Sequence, residues 1–88
     1  MPEVYNKRTG HPPEAIYVGR PTRWGNPFPV EQYGRARCIE MFKVWVMEPE
    51  QEPLRQAARA LLIGRDLVCW CVPADCHAFT WLEIANGL

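Results

Sequence analysis

The 88-residue sequence has no apolar run long enough to cross a bilayer, and its N-terminal stretch MPEVYNKRTG lacks the apolar segment of a secretion signal. It also has no excess of either charge, because ten basic residues balance ten acidic ones. Proteins that hold duplex nucleic acid usually carry a marked basic excess. We therefore expect a cytoplasmic protein with no membrane partner, and the net charge does not favour a nucleic-acid partner.

The familiar catalytic signatures are missing as well. The sequence has no glycine-rich phosphate loop, no serine, histidine and aspartate set in a recognisable context, and no pair of carboxylates beside an apparent strand. It therefore leaves open whether the protein is an enzyme.

The composition that is present is that of one globular domain spanning 1–88, with 48% hydrophobic and 23% charged residues. A chain of this length is too short for two cores, so we expect any ligand site to be shallow. The four cysteines are not accompanied by a secretion signal that would suit disulfides. Reduced thiols or metal ligands are the expectation for Cys38, Cys69, Cys71 and Cys76.

Three segments have the character of strands. AIYVG at 15–19 is short, β-branched and aromatic, and it is bounded by proline and glycine. DLVCWC at 66–71 has the same character, and residues 3–7 predict a weaker strand.

Helical periodicity covers most of the remaining sequence. A first helix is predicted from about Gly34 until Pro49 stops it, a second over 50–63 with Gly64 as its C-cap, and a third over 76–86 with Asp75 as its N-cap. The predicted buried stripes are Cys38, Ile39, Phe42, Trp45 and Val46 in the first helix, Leu54, Ala57, Ala58, Leu61 and Leu62 in the second, and Phe79, Leu82 and Ala85 in the third.

The order of these elements predicts the fold class, a small single-domain α/β structure with a short parallel sheet of two or three strands and three helices. A strand, two helices and a second strand form the pattern of a right-handed crossover between parallel strands. Parallel strands end at the same edge of a sheet, where ligands of such folds bind. The loops GRPTRWGN at 19–26 and CVPADCH at 71–77 should therefore meet there.

The first loop contains four candidate ligand-binding residues, Arg20, Arg23, Trp24 and Asn26. A pair of guanidinium groups grips a phosphate or carboxylate, an indole offers a flat face, and an amide supplies both a donor and an acceptor. The loop would thus suit a small anionic or nucleotide-like partner. In the structural alternative, Trp24 packs in the core, which we favour, and Asn26 caps a turn.

The second loop contains two candidate catalytic residues, Cys76 and His77. In the first turn of a helix, free N–H groups and the helix dipole lower the pKa of a thiol, so Cys76 is a candidate nucleophile and His77 a candidate acid or base. Equally, this helix end would bind a phosphate.

The same loop offers a set of metal ligands. Three sulfurs and one imidazole, from Cys69, Cys71, Cys76 and His77, are enough for tetrahedral zinc. The spacing differs from that of common zinc modules, and we expect the adjacent Cys76 and His77 to point in different directions. We therefore expect no cofactor, keep zinc as the alternative, and interpret Cys38 and Cys69 as small buried apolar residues.

The sequence contains two strings in this order, YVGRPTRWGNPF at 17–28 and LVCWCVPADCHA at 67–78. They resemble a family found in phage and bacterial genomes, the domain of unknown function DUF4326. The resemblance covers about 15–86. It implies a phage or prophage origin, and hence a bacterial or phage-infected cell, but no reaction.

Three hypotheses follow. The first is a domain that binds or acts on a phosphate-bearing or nucleotide-like molecule between the two loops. The second is a zinc-stabilised module that binds protein or nucleic acid. The third is a phage-encoded interaction protein that modulates a host factor without catalysis.

Overall fold

The computed structural model describes residues 2–71 and 76–87, and within them the strands form one parallel sheet. β1 spans Val4–Asn6, β2 spans Ile16–Tyr17, and β3 spans Leu67–Cys69. β3 lies in the centre and pairs in parallel with both neighbours, in the order β1-β3-β2. All three residues of β3 are buried, as expected for an apolar central strand. The predicted small α/β fold with a parallel sheet is confirmed.

The helices cover this sheet and one another. In chain order they are α1, Val30–Tyr33; α2, Arg35–Val46; a 3₁₀ turn, Pro49–Gln51; α3, Glu52–Leu61; and α4, Ala78–Asn86. Gly64, shortly after α3, and Gly87, after α4, have φ values of +68° and +74°. This left-handed conformation is the one that glycine adopts readily at the end of a helix. No helix among the residues described is long and apolar enough to cross a membrane.

The helix predictions need four corrections. α1 was not predicted, and the second predicted helix begins with a 3₁₀ turn. α4 begins at Ala78, with His77 at its N-cap position, and the predicted cap Asp75 lies outside the described residues. Leu61 and Phe79, both predicted to be buried, are 48% and 43% exposed. In α4 apolar residues occupy more than one face, so periodicity did not determine which of them pack inward, and Leu61 is the last residue of α3.

Aromatic rings join the first loop to the helices in the core. Trp81 of α4 is fully buried, and its Nε1 donates to the carbonyl oxygen of Trp24 at 2.8 Å. The two indoles meet edge to face with their centroids 5.1 Å apart, and Phe42 of α2 packs against Trp81 at 5.6 Å. Trp24 is 6% exposed, which confirms its predicted place in the core. These contacts in the core therefore fix the path of the first loop.

Candidate functional site

A cavity of about 300 Å³ lies where β2 and β3 end. The first loop contributes Arg20 and Asn26 to its lining, and the second contributes Cys71, Cys76 and His77. The described residues of the two loops meet as predicted, because β2 and β3 are parallel neighbours and the chain leaves the sheet at the same edge after each; residues 72–75 of the second loop lie outside the described residues. We call this cavity the edge pocket. Among the described residues its lining is Tyr17, Gly19, Arg20, Asn26, Phe28, Val30, Arg35, Ile39, Cys69, Trp70, Cys71, Cys76 and His77.

The described residues of the edge pocket carry charge of one sign. Two guanidinium groups, those of Arg20 and Arg35, belong to the lining, and none of its described residues is an aspartate or glutamate. The rings of Tyr17, Phe28 and Trp70 supply much of the remaining wall. An electropositive pocket with aromatic walls suits a flat, anionic molecule.

Arg35 was missed by the sequence analysis. It is the first residue of α2, and a hydrogen bond with Cys71 raises the pKa of its guanidinium. The sequence did contain a signal for Arg35. The helix dipole disfavours a cation at a helix N-terminus, so an arginine there indicates a role other than stabilising the helix. The sequence pattern did not show that α2 begins beside the second loop.

Two of the predicted ligand-binding residues do not line the edge pocket. Arg23 is exposed, and its guanidinium lies over the Trp24 ring at 4.9 Å from the centroid. Trp24 points into the core instead. The arginine side chains of the first loop therefore diverge, and only Arg20 faces the cavity.

Asn26 lines the edge pocket, and its side-chain oxygen and nitrogen each make a hydrogen bond within the protein. Its Oδ1 accepts from the backbone N–H of Phe28 at 2.9 Å, and its Nδ2 donates to the carbonyl of Cys38 at 3.2 Å. These bonds cap the turn and tie the loop to α2. They match the structural alternative for this residue.

Three cysteines form a cluster at the edge pocket. The sulfurs of Cys69, Cys71 and Cys76 all lie within 4.8 Å of one another, and we call them the thiol cluster. Cys38 is not in this group; its sulfur donates to the carbonyl of Arg35 at 3.3 Å, and burial raises its pKa. Three thiol groups at such spacing are within reach of one metal ion, and the donor set suits zinc and other thiophilic metals.

The predicted lowering of the pKa of Cys76 was wrong. A hydrogen bond with Cys69 and burial of the thiol both raise this pKa, and the opposing contribution of the Ala78 N–H is smaller. Cys76 is 3% exposed and precedes the first residue of α4 by two positions. Desolvation of the anion thus outweighs the helix end. A catalytic role for Cys76 or His77 stays a prediction.

His77 is buried with both ring nitrogens close to a partner. Nε2 lies 2.8 Å from the carbonyl oxygen of Val18, and Nδ1 lies 3.5 Å from the sulfur of Cys76. Burial lowers the pKa of the imidazole. The expectation that Cys76 and His77 point in different directions was therefore wrong, because the turn before α4 brings the two side chains together.

Comparison with known proteins gives a family but no activity. The family described as "Domain of unknown function (DUF4326)" matches residues 4–87. The chain belongs to the DUF4326 family. The match confirms the resemblance seen in the two strings and extends it to β1. No curated protein and no solved structure matches the chain.

Proposed function

We propose that the edge pocket binds a small phosphate-bearing, nucleotide-like molecule. The observation that carries this proposal is the pair of arginines, Arg20 and Arg35, in a lining whose described residues include no carboxylate. A guanidinium group donates two parallel hydrogen bonds to a phosphate, and in a partly apolar pocket such charge-assisted bonds are strong.

The size and walls of the edge pocket support a planar group beside the phosphate. A volume of about 300 Å³ is at the small end for ligand pockets and suits a single nucleotide. Trp70 is 52% exposed, and its Nε1 donates to the hydroxyl of Tyr17 at 2.9 Å. That hydroxyl donates in turn to the carbonyl of Arg20 at 3.0 Å. Stacking on an aromatic ring contributes roughly 1–3 kcal/mol per base, and here the ring is held in place.

The test is isothermal titration calorimetry of adenosine monophosphate against the protein and two matched arginine variants. Arg20→Ala should weaken binding roughly 10- to 100-fold, because a hydrogen bond to a charged group contributes about 1.5–3 kcal/mol. Arg23→Ala removes an equally exposed arginine from the same loop but outside the lining, so it should bind like wild type. Equal losses in both variants, or no binding by wild type, would refute the proposal.

A second candidate function, the zinc-stabilised module, is favoured by the thiol cluster. We propose zinc as the metal because three thiolates are a common ligand set for structural zinc, which contributes directly to folding free energy. Native mass spectrometry under reducing conditions should show one zinc-sized mass increment, and a chelator should lower the thermal midpoint.

Cys38 provides the matched control for this test, because it is as buried as Cys69 but lies outside the thiol cluster. The zinc increment should be retained in Cys38→Ala and lost in Cys69→Ala. A bare mass for freshly purified wild type that stays bare after addition of zinc would rule this candidate out.

A further inference from the structure

The imidazole of His77 is held in one tautomer, and this tautomer directs a lone pair toward the thiol cluster. The carbonyl oxygen of Val18 can only accept a hydrogen bond, so the nitrogen 2.8 Å from it, Nε2, carries the proton. In a neutral imidazole the other ring nitrogen, Nδ1, then carries the lone pair, and it lies 3.5 Å from the sulfur of Cys76.

This separation is the one expected for two ligands of the same zinc ion. With Zn–S near 2.3 Å and Zn–N near 2.0–2.1 Å, tetrahedral geometry places sulfur and nitrogen about 3.6 Å apart and two sulfurs about 3.8 Å apart. The sulfurs of the thiol cluster lie within 4.8 Å of one another. Shifts of about 1 Å would bring them to coordination distance. Nδ1 of His77 lies outside the group of atoms within 4.8 Å of one another, so zinc binding also requires it to approach the sulfurs of Cys69 and Cys71.

The hydrogen bond to Val18 matches the usual surroundings of a metal-bound histidine. Such a histidine generally donates its second ring N–H to a carboxylate or a backbone carbonyl, which fixes the ring orientation and raises its basicity as a ligand. Val18 directly follows β2 and is fully buried, and its own N–H donates to Val68 of β3 at 2.9 Å. The sheet therefore holds the carbonyl that orients the imidazole.

We infer that Cys69, Cys71, Cys76 and Nδ1 of His77 form a closed, four-coordinate zinc site. This inference deepens the second candidate function and rests on zinc binding at the thiol cluster. Zinc with three thiolates carries one net negative charge, and the guanidinium of Arg35, which hydrogen-bonds Cys71, lies beside it. The zinc would join the end of β3 to the start of α4 and thereby fix one wall of the edge pocket.

Nitrogen NMR of the reduced, ¹⁵N-labelled wild-type protein tests the site without a substitution. During titration with zinc chloride, one equivalent should shift the Nδ1 resonance of His77 while Nε2 remains protonated. His11, an exposed histidine whose Nδ1 faces the carbonyl of Pro12, should not respond. It is the internal control, since His11 and His77 are the two histidines of the sequence.

A pair of histidine variants tests affinity. His77→Ala should weaken zinc binding at least about tenfold, because losing even an outer-shell partner of a ligand costs 10- to 100-fold. His11→Ala should bind zinc as tightly as wild type. If His77→Ala fails to fold, the NMR titration of wild type still decides.

The remaining outcomes separate the proposals. Zinc binding with an unshifted His77 Nδ1 would overturn the four-ligand site and leave the second candidate function standing. Absence of zinc binding by the reduced protein would overturn both. The adenosine monophosphate titration is a separate measurement on the edge pocket and is made on both the metal-free and the zinc-loaded protein, because the proposed zinc ligands line that pocket.

Discussion

Trp81 of α4 links this last helix to the first loop. It is fully buried, and its indole donates to the backbone of Trp24, 57 positions earlier in the chain. The sequence analysis placed Phe79 in the buried stripe of this helix and left Trp81 out. Both residues are large and apolar, so the helical period alone did not show which of them is buried. A buried indole N–H needs an acceptor, which only the tertiary structure supplies.

Replacing Trp81 with phenylalanine should therefore destabilise the protein. Trp81→Phe leaves the Trp24 carbonyl without its donor and removes packed ring volume, so we expect a loss of about 1–3 kcal/mol in the free energy of unfolding. Urea denaturation followed by circular dichroism measures it. Trp70→Phe changes a half-exposed indole and should cost about 0.5 kcal/mol or less. Equal losses would mean that the Trp81 bond contributes nothing specific.

Arg55 of α3 joins α2 and α3 by donating hydrogen bonds to backbone carbonyls at the end of α2. Its Nη1 donates to the carbonyls of Val46 at 2.7 Å and Glu48 at 2.9 Å, at the end of α2, while its Nη2 pairs with Glu52 at 2.6 Å. The last carbonyls of a helix have no partner within the helix, and here a side chain of α3 provides one. The sequence analysis predicted an apolar stripe for this helix and did not predict that the arginine is buried.

Removing this side chain should loosen the junction between α2 and α3. Arg55→Ala removes the side-chain donor to the carbonyl of Val46 and one of two donors to that of Glu48, which keeps the N–H of Gln51, and we expect the free energy of unfolding to fall by roughly 1.5–3 kcal/mol in thermal or urea denaturation. Arg59→Ala, on the exposed side of the same helix, should change it by about 0.5 kcal/mol or less. A loss in Arg59→Ala as large as that in Arg55→Ala would assign the effect to helix propensity or net charge instead.

The folded molecule as a whole distributes its four thiols unequally with respect to solvent. Cys38, Cys69 and Cys76 are at most 3% exposed, whereas Cys71 is partly exposed at the rim of the edge pocket. Buried thiols react only when the structure opens locally or globally.

Ellman's reagent should therefore modify one thiol quickly in the metal-free native protein and all four in guanidinium chloride. The remaining three should react at a rate set by opening of the fold. Cys71→Ser should abolish the fast phase and Cys38→Ser should leave it unchanged. Two or more fast thiols in wild type would contradict the packing of the thiol cluster.

Much of the architecture was accessible from the sequence because it depends on local patterns. Short β-branched segments between turn residues predicted the three strands, and the crossover pattern predicted the parallel sheet and the edge at which the loops at 19–26 and 71–77 meet. Gly64 marked the end of a helix because its conformation is one that glycine adopts without strain.

The composition of the site was decided by the tertiary structure. Arg35 lines the edge pocket because α2 begins beside the second loop, where Arg35 hydrogen-bonds Cys71. Arg23 does not line it, because the packing of Trp24 against Trp81 fixes the path of the first loop, and no short-range pattern encodes that contact. Likewise, the sequence showed that Cys76 and His77 are adjacent, but the turn before α4 and the carbonyl of Val18 determine where their side chains point. The sequence by itself determined the three strands, the three longer helices and the edge at which the strands end. The direction of each side chain depended on contacts between distant parts of the chain, because helix rotation and loop path are set by long-range packing.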